Sequence, residues 1–432
     1  MHKLVVLSAD ALVSEDLDTL KSLPNTRRYL LGGSQITQVR SVYPTITYPC
    51  HTTMVTGVYP DRHGVEGNLV FSAQREPLPW KWFHGAARAT DLFTAAKRAG
   101  RSTAAVFWPV TGNHPDIDFL IDEYWTQGPE DVLADAFARS GSRGPAMEIV
   151  RQRQGLLQGH EREHPVCDEF VIACACDLLE RCAPDLTMIH PANIDGARHR
   201  YGAFNERVTQ QVIETDRYIG LLGAAMERAG TLADTNFFLV SDHGQMDIRR
   251  IVNLNVLLAE AGLIQLDESG QIASWQAYCL SGGMSALVYL KDPSDGAVRE
   301  RVARLLDHLV EEGVYGVSQV FTAERARREH RLAGDFAFVL ETDGYTSFGD
   351  SPERPLVKNF DSADYRYGQA THGYLPEKGP QPVLLAKGPD IAPGVTLNTG
   401  RLVDEAPTFA RLLGADLPGD IDGRVIREIL RP

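Results

Sequence analysis

Six residues that can bind a metal ion lie at four separate places along the chain: Asp10, Asp195 with His199, Asp242 with His243, and His372. A threonine, Thr47, stands between the first two places, at the predicted start of a helix. Carboxylates and imidazoles are common ligands of catalytic zinc, and a hydroxyl beside such an ion can become a nucleophile. These residue types therefore indicate a two-metal hydrolase with a covalent nucleophile.

Each of these places alone also has a simple structural interpretation. Asp195 and His199 are four residues apart, so on a helix they share a face and could share an ion, or form an exposed acid–imidazole pair. Asp242 and His243 precede a glycine and could merely form a turn. Thr47, two residues before a proline, fits the N-cap of a helix whether or not it reacts.

The elements that must position these residues alternate between strands and helices. Asp10 and Asp242 each follow a short apolar run typical of a buried strand. Similar runs occupy 103–108, 186–190 and 383–386, and amphipathic helical patterns occupy 206–228 and 403–413. We therefore predict an α/β fold, with a mostly parallel central sheet and helices on both faces. Ligands of such sheets bind at the carboxyl ends of the strands.

One segment interrupts this alternation. Residues 270–345 contain strand patterns around two helical patterns, one of them a charged run of mixed sign that we interpret as a solvated helix. We predict a smaller α/β subdomain there, inserted as a cap into a catalytic domain made of 1–269 and 346–432. The polar stretch 112–165 is expected to form helices over one face of the site.

Composition limits the partners. The chain has 432 residues, 43% of them hydrophobic, and a formal net charge of -14. This charge disfavours nucleic-acid polymers but not small phosphorylated substrates, because bound cations dominate the local field. The sequence contains no run of about 18 apolar residues, so no membrane span is predicted. The first strand starts too near Met1 for a secretion signal, and the six cysteines are expected to be reduced, so we predict a cytoplasmic protein.

Four segments together resemble one known family. The stretch 43–65 around Thr47, then 195–202, 241–246 and 372–374, is similar in content and order to the nucleotide pyrophosphatase/phosphodiesterase family of the alkaline phosphatase superfamily. The resemblance implies an alkaline-phosphatase-like fold and two zinc ions, with manganese or another divalent metal as a possible substitute. It assigns Asp195, His199 and His372 to one ion, and Asp10, Asp242 and His243 to the other, beside Thr47.

The same resemblance assigns roles near the nucleophile. Asn68 and the backbone N–H of Tyr48 would donate hydrogen bonds to a phosphoryl oxygen. Independently of the resemblance, Tyr48 beside the nucleophile and Phe107 and Trp108 after a strand are predicted to bind substrate as an aromatic wall, with packing in the core as the alternative. Cys50 stands where the family usually has asparagine, and we expect a buried, inert thiol. The stretch 190–194 lacks the acidic pair of the animal enzymes.

The predicted activity is hydrolysis of phosphodiester or pyrophosphate bonds through a phospho-threonine on Thr47. A phosphomonoesterase or phosphonate hydrolase on the same two-metal scaffold is the alternative. A metal-binding module without catalysis would not need the threonine. The expected partner is a small phosphorylated substrate, such as a nucleotide; the sequence predicts neither the natural substrate nor the oligomeric state.

Overall fold

A computed structural model describes residues 2–73, 78–417 and 419–432. The largest sheet in this described part has eight strands. In spatial order they are Thr396–Leu397, Ser34–Ile36, Leu384–Lys387, Thr235–Val240, Lys3–Ser8, Leu186–Ile189, Thr103–Val106 and Phe119–Ile121. The last five run parallel, whereas Leu384–Lys387 is antiparallel to both of its neighbours. The predicted mostly parallel sheet is confirmed.

Both faces of this sheet are covered by helices. Along Lys3–Ser8, Val5 and Leu7 enter one apolar core and Leu4 and Val6 enter the other, because successive side chains of a strand point to opposite faces. The first core is covered by the helices Leu17–Ser22, Pro24–Tyr29, Leu133–Arg139, Gly144–Arg153, Val166–Arg181, Asn193–Tyr201 and Glu206–Arg228. The second is covered by Thr47–Thr56, Leu92–Arg98 and Glu405–Leu413.

A second sheet lies within the predicted insert. Its four antiparallel strands are, in order, Ala277–Ser281, Ser285–Leu290, Phe338–Thr342 and Val317–Thr322. The helices Gly296–Glu312 and Ala323–His330 belong to it. Its apolar core also takes in Val252 and Phe348, outside the predicted bounds, together with the helix Leu254–Glu260 and the hairpin Ile264–Leu266 with Ile272–Trp275.

Shorter elements complete the described chain. Small sheets pair Thr346–Gly349 and Val357–Lys358 with Arg250–Asn253, Met246–Asp247 with Ala370–Thr371, and Val39–Arg40 with Gly400–Arg401. A further helix is Pro60–His63, and the 3-10 helices are Ser14–Asp16, His84–Ala86, Gln154–Leu156, Leu232–Asp234, Tyr365–Tyr367, Pro376–Lys378, Leu402–Asp404 and Arg427–Ile429. None of the helices in the described ranges is both long and apolar enough to cross a membrane.

The helix that carries the predicted nucleophile differs in one detail from the expectation. Ile46, in an extended conformation, is the N-cap, and Thr47 is the first helical residue. Pro49 then occupies the third helical position, where no intrahelical donor is required. The prediction of Thr47 as the N-cap was therefore wrong by one residue. The hydroxyl of Thr47 does not cap the helix and is free for another contact.

Candidate two-metal active site

The first group of ligands forms where two neighbouring strands end. Ser8 lies opposite Val240 in the parallel ladder, so Asp10 and Asp242 leave the same edge of the sheet two residues later. His243 follows directly, and its Nε2 lies 3.2 Å from Asp242 Oδ2 and 3.5 Å from Asp10 Oδ1. The donor atoms of these three residues, here called the Asp10 trio, all lie within 4.8 Å of one another.

The second group combines a helix with a distant loop. Asp195 and His199 project from one face of the helix Asn193–Tyr201, with Asp195 Oδ2 3.1 Å from His199 Nε2. His372 follows the strand Ala370–Thr371, and its Nε2 lies 4.0 Å from Asp195 Oδ1. These three residues, the Asp195 trio, also have donor atoms within 4.8 Å of one another. The structure thus assembles both predicted groups of ligands.

Surrounding groups fix the orientation of these ligands. His199 Nδ1 donates to the carbonyl of Ala370 at 2.8 Å, which leaves Nε2 to face Asp195. Gln245, a residue the sequence did not single out, donates from Nε2 to Asp195 Oδ1 at 2.5 Å and to the Asp195 carbonyl at 3.1 Å. Such outer contacts set the tautomer and direction of a metal ligand.

Thr47 lies beside the Asp10 trio. Its Oγ1 is 3.2 Å from His243 Nε2, and the residue is 7% exposed. Asn68 lies alongside, and its Oδ1 accepts the backbone N–H of Tyr48 at 2.9 Å. That N–H is therefore occupied by Asn68 in this structure, while the Nδ2 group of Asn68 remains as a donor. Thr47 and Asn68 both line one cavity together with Asp10 and all three residues of the Asp195 trio.

Two buried histidines near Thr47 also escaped the sequence reasoning. His51 lies one helical turn after Thr47; its Nδ1 is 2.9 Å from the Thr47 carbonyl and its Nε2 2.9 Å from Ser8 Oγ. His190 ends the predicted strand 186–190, and its Nε2 lies 3.1 Å from Asp10 Oδ2. Both could have been found from sequence, because they follow the same helical spacing and strand-end rules that selected the ligands.

The electrostatics of the site indicate that a cation belongs there. Burial, reinforced by the neighbouring charge of Asp10, raises the pKa of Asp242 to about 7. Burial and the charge of Asp195 raise the pKa of Asp10 well above its ordinary value. Burial would also raise the pKa of Asp195, but the neighbouring imidazoles, His199 first, lower it. Asp10 and Asp242 are therefore two neighbouring buried carboxylates that resist ionisation, because no positive charge compensates them.

Unpartnered atoms support the same conclusion. Within the described residues, several buried donor and acceptor atoms of the two trios have no hydrogen-bond partner: Asp10 Oδ1, Asp242 Oδ2, His199 Nε2, His243 Nδ1 and His372 Nδ1. Unpaired buried polar atoms are costly and are rare in native proteins. A nitrogen and oxygen donor set of three residues fits zinc, and each trio could hold one ion.

The cavity itself has a volume of about 740 Å³. Its aromatic lining consists of Trp80, Phe107, Trp125 and Tyr365, with Tyr365 stacked on His372 at 5.5 Å between ring centroids. Residues 123, 125, 161–164 and 166–168 form much of its wall. Those of the stretch 112–165 lie in loops, and not in the helices that were expected over the site. No described residue of the insert 270–345 lines it, so the insert does not cap this cavity.

Of the predicted aromatic wall, Phe107 lines the cavity, whereas Trp108 and Tyr48 lie behind its surface. Trp108 is fully buried and packs against His51, with 4.8 Å between ring centroids. Tyr48 is also fully buried and contacts Trp80 at 5.4 Å. Neither ring is among the described residues that line the cavity, since both are fully buried by such contacts. A direct contact of either ring with substrate stays a prediction.

Cys50 lies in the helix Thr47–Thr56 and packs into the second apolar core. It is fully buried, and its Sγ lies 3.3 Å from Ser41 Oγ. Burial and the charge of Asp242 raise the pKa of this thiol well above its ordinary value. A thiol with a raised pKa is a poor nucleophile, which agrees with the predicted inert role. All six cysteines are free.

The fold and the site define a class of protein. A parallel α/β sheet that carries two three-residue metal-ligand groups and a hydroxyl at its carboxyl edge is an arrangement suited to a two-metal hydrolase. The family model of the Type I phosphodiesterase / nucleotide pyrophosphatase family matches residues 4–375, which is most of the chain. The chain therefore belongs to this family of hydrolases, as the resemblance of its motifs predicted.

The curated relatives that match the chain belong to the same family but are longer than this chain. An ectonucleotide pyrophosphatase/phosphodiesterase of Caenorhabditis elegans is 24% identical over 98% of this chain and 48% of its own length. A bis(5'-adenosyl)-triphosphatase of Xenopus laevis is 22% identical over 62% of this chain and 53% of its own length. The chain thus spans about half the length, or less, of the curated relatives it matches.

Solved structures show the same fold. Human ectonucleotide pyrophosphatase/phosphodiesterase 5 superimposes with a TM-score of 0.67 at 17% identity, over 100% of both chains. The murine enzyme, as an inactive variant in complex with AMP, superimposes with a TM-score of 0.66 at 18% identity, again over 100% of both chains. At this level of identity the likeness establishes the alkaline-phosphatase-like architecture alone.

Proposed function

We propose that this protein hydrolyses phosphodiester or pyrophosphate bonds with two zinc ions and a transient phospho-threonine on Thr47. One observation carries the proposal: the Thr47 hydroxyl lies 3.2 Å from a histidine of one trio, in the cavity that the other trio also lines. A hydroxyl between two such ligand groups suits attack on phosphorus. A module that only binds metal would have no use for this hydroxyl.

The chain's own residues account for most of the positioning. Thr47 Oγ1 releases its proton to solvent and forms a bond to phosphorus as the bond to the leaving-group oxygen breaks, and that oxygen takes up a proton from solvent. Water then attacks the phosphorus of the phospho-threonine, which releases the phosphoryl product, and Thr47 Oγ1 regains a proton. When bound, the ions supply charge neutralisation and lower the pKa of the hydroxyl. Asn68, held by the backbone N–H of Tyr48, presents Nδ2 to a phosphoryl oxygen.

A small nucleotide is the substrate class that we favour. The Xenopus relative is named as a bis(5'-adenosyl)-triphosphatase, and a murine relative was solved with AMP. A cavity of about 740 Å³ lies in the range of small-molecule sites. Trp80 and Tyr365, whose rings lie 5.5 Å apart, offer apolar surface near the second trio for a base or another flat ester group.

The first test is a substrate panel on one zinc-loaded sample. We expect bis-(p-nitrophenyl) phosphate and dinucleoside polyphosphates to be cleaved faster than p-nitrophenyl phosphate or a phosphonate monoester. Faster cleavage of the monoester would favour the phosphomonoesterase alternative, and faster cleavage of the phosphonate would favour a phosphonate hydrolase.

The second test addresses the covalent step. Thr47→Ala should keep both metal ions and lose at least about 10³-fold in kcat, because the nucleophile is absent. Thr56→Ala is the matched control, since Thr56 is a buried threonine of the same helix whose hydroxyl donates to the Thr52 carbonyl, away from the cavity. Acid-quenched wild-type protein should show a phosphorylated Thr47 by mass spectrometry. Near-normal turnover by Thr47→Ala would refute the mechanism.

A further inference from the structure

A third group of metal-ligating side chains lies in the wall of the same cavity. His164, Cys167 and Asp168, here called the His164 trio, share no residue with the two trios described above. His164 Nδ1 lies 2.8 Å from Asp168 Oδ2 and 3.2 Å from Cys167 Sγ. As in the other two groups, the donor atoms all lie within 4.8 Å of one another.

The local structure holds these side chains together. Cys167 and Asp168 lie in the first turn of the helix Val166–Arg181, and His164 lies two residues before it, so all three meet at the helix start. Asp168 Oδ1 accepts the backbone N–H of Ala192 at 2.7 Å, which turns Oδ2 toward the imidazole. This is the kind of outer contact that orients a metal ligand.

Burial leaves one side of the group open. Cys167 and Asp168 are 2% and 1% exposed, whereas the His164 side chain is 27% exposed and faces the cavity. The imidazole packs over Gly196, where an added Cβ would lie 2.9 Å from the Cβ of His164. Gly196 follows Asp195 directly, so the His164 trio adjoins the Asp195 trio without sharing its ligands.

Asp168 and Cys167 compete for the same nitrogen of His164. The Nδ1 of His164 carries at most one hydrogen, yet a carboxylate oxygen and a sulfur both lie within contact of it. If that hydrogen is donated to Asp168, the nitrogen has no lone pair left to accept the thiol hydrogen of Cys167. A cation placed between the three atoms would interact favourably with all of them at once.

The charge of the cavity also favours a cation. Apart from the Asp10 and Asp195 trios, the described lining contains four carboxylates and only two guanidinium groups: Glu123, Glu161, Glu163 and Asp168 against Arg162 and Arg200. Glu123 has a buried oxygen, Oε2, with no hydrogen-bond partner. Ions held at the first two trios would not neutralise this excess, because their own three carboxylates balance much of their charge.

We propose that His164, Cys167 and Asp168 bind a third divalent cation, of the thiophilic class to which zinc belongs. A thiolate, an imidazole and a carboxylate form a typical zinc donor set, and three protein ligands with one open position are typical of non-structural zinc sites. On binding, the thiol proton leaves to solvent as the sulfur–metal bond forms. The open position faces the cavity and would take water or an anionic oxygen of a ligand. This site does not depend on the proposed function.

Cobalt(II) substitution gives a test that does not use activity. Cobalt bound to a thiolate has an intense near-ultraviolet charge-transfer band, which nitrogen and oxygen ligands do not produce. The Asp10 and Asp195 trios contain no cysteine, so the band would report the His164 trio alone. We expect the band in the wild-type protein, and about three metal ions per chain after zinc loading.

Matched variants assign the site. Cys167→Ser should abolish the band and reduce the metal content from three ions to two, and Asp168→Asn should weaken binding of the third ion. Cys176→Ser is the control: Cys176 is a partly buried cysteine of the same helix and outside the trio, so band and metal content should not change. Circular dichroism confirms that each variant is folded.

The opposite results are equally clear. Wild-type protein with two ions and no thiolate band overturns the third site, and so does a band that survives in Cys167→Ser. If Cys167→Ser does not fold, sulfur scattering in the zinc X-ray absorption spectrum of the wild type decides the question. A failed two-metal site gives a different result, namely one ion per chain with the band retained.

Discussion

Glu341 offers a sharp test of how this structure balances burial against ion pairing. Its carboxylate is fully buried between the insert and the loop that carries His372. Oε1 lies 2.9 Å from Lys378 Nζ and accepts the backbone N–H of Leu375 at 3.1 Å, whereas Oε2 has no partner. Burial outweighs the ammonium group of Lys378 and raises the pKa of this carboxyl to about 7.

The sign of the pH effect follows from this direction. Near pH 4 the carboxyl is protonated in both the folded and the unfolded chain. As the pH rises from the ordinary value of 4.5 to about 7, the unfolded chain loses the proton first, so Glu341 progressively destabilises the fold. A difference of about 2.5 pKa units corresponds to a loss of about 3 kcal/mol, complete above about pH 7.5.

Replacement by the neutral amide isolates this effect. Glu341→Gln keeps an acceptor for the Leu375 N–H, and Lys378 keeps the Thr342 carbonyl as a partner at 2.6 Å. Urea unfolding of both proteins between pH 4.5 and 8 should show the variant gaining about 3 kcal/mol relative to wild type as the pH rises. Metal ions at the proposed sites would contribute equally to both proteins, because Glu341 belongs to none of the three trios.

Two control variants accompany Glu341→Gln, and one outcome would refute the reasoning. Glu377→Gln removes the same charge from an exposed neighbour and controls for the change in net charge. Lys378→Gln should move the titration of Glu341 to higher pH, because the favourable ammonium is lost. If Glu341→Gln instead becomes progressively less stable than wild type as the pH rises, the ion pair outweighs burial and our reasoning is wrong.

Two further variants test the metal and phosphate contacts. Gln245→Leu should weaken metal binding at the Asp195 trio about 10- to 100-fold in chelator competition and leave the Asp10 trio unchanged; equal effects at both would contradict an orienting role. Asn68→Asp keeps the acceptor for the Tyr48 N–H but replaces the Nδ2 donor, so kcat/KM should fall about 10²- to 10³-fold with unchanged metal content. Unchanged kcat/KM would exclude a phosphoryl contact by Nδ2.

Most of the candidate metal ligands could be predicted from sequence because local rules place them. Asp10 and Asp242 follow buried strands, and parallel strands bring their carboxyl ends to one edge whatever the rest of the chain does. The four-residue spacing of Asp195 and His199 needs only a helix to align them. His372 obeys no such rule, and only its place in the family's order of motifs identified it.

The cavity wall could not be predicted in the same way. Trp80 and Trp125 lie outside regular elements, and their exposure to the cavity depends on how distant loops pack. Trp108 instead follows directly from an apolar strand, and the same strand carries it into the core against His51. Local pattern thus identifies which residues are apolar, but tertiary packing decides which of them a ligand could contact.

The insert shows how position in space can differ from an expected role. It lines none of the described cavity, yet the backbone N–H of Met284 donates to the carbonyl of His372 at 2.9 Å. On the other side, Gly373 donates to the Thr45 carbonyl at 2.9 Å, two residues before the nucleophile. Gly373 has φ of 102°, and a Cβ there would lie 2.3 Å from the carbonyl oxygen of Gly282, so only glycine permits this contact. Because the insert and the nucleophile segment hold the same loop from opposite sides, the insert positions His372, a candidate metal ligand, and is a structural part of the candidate site.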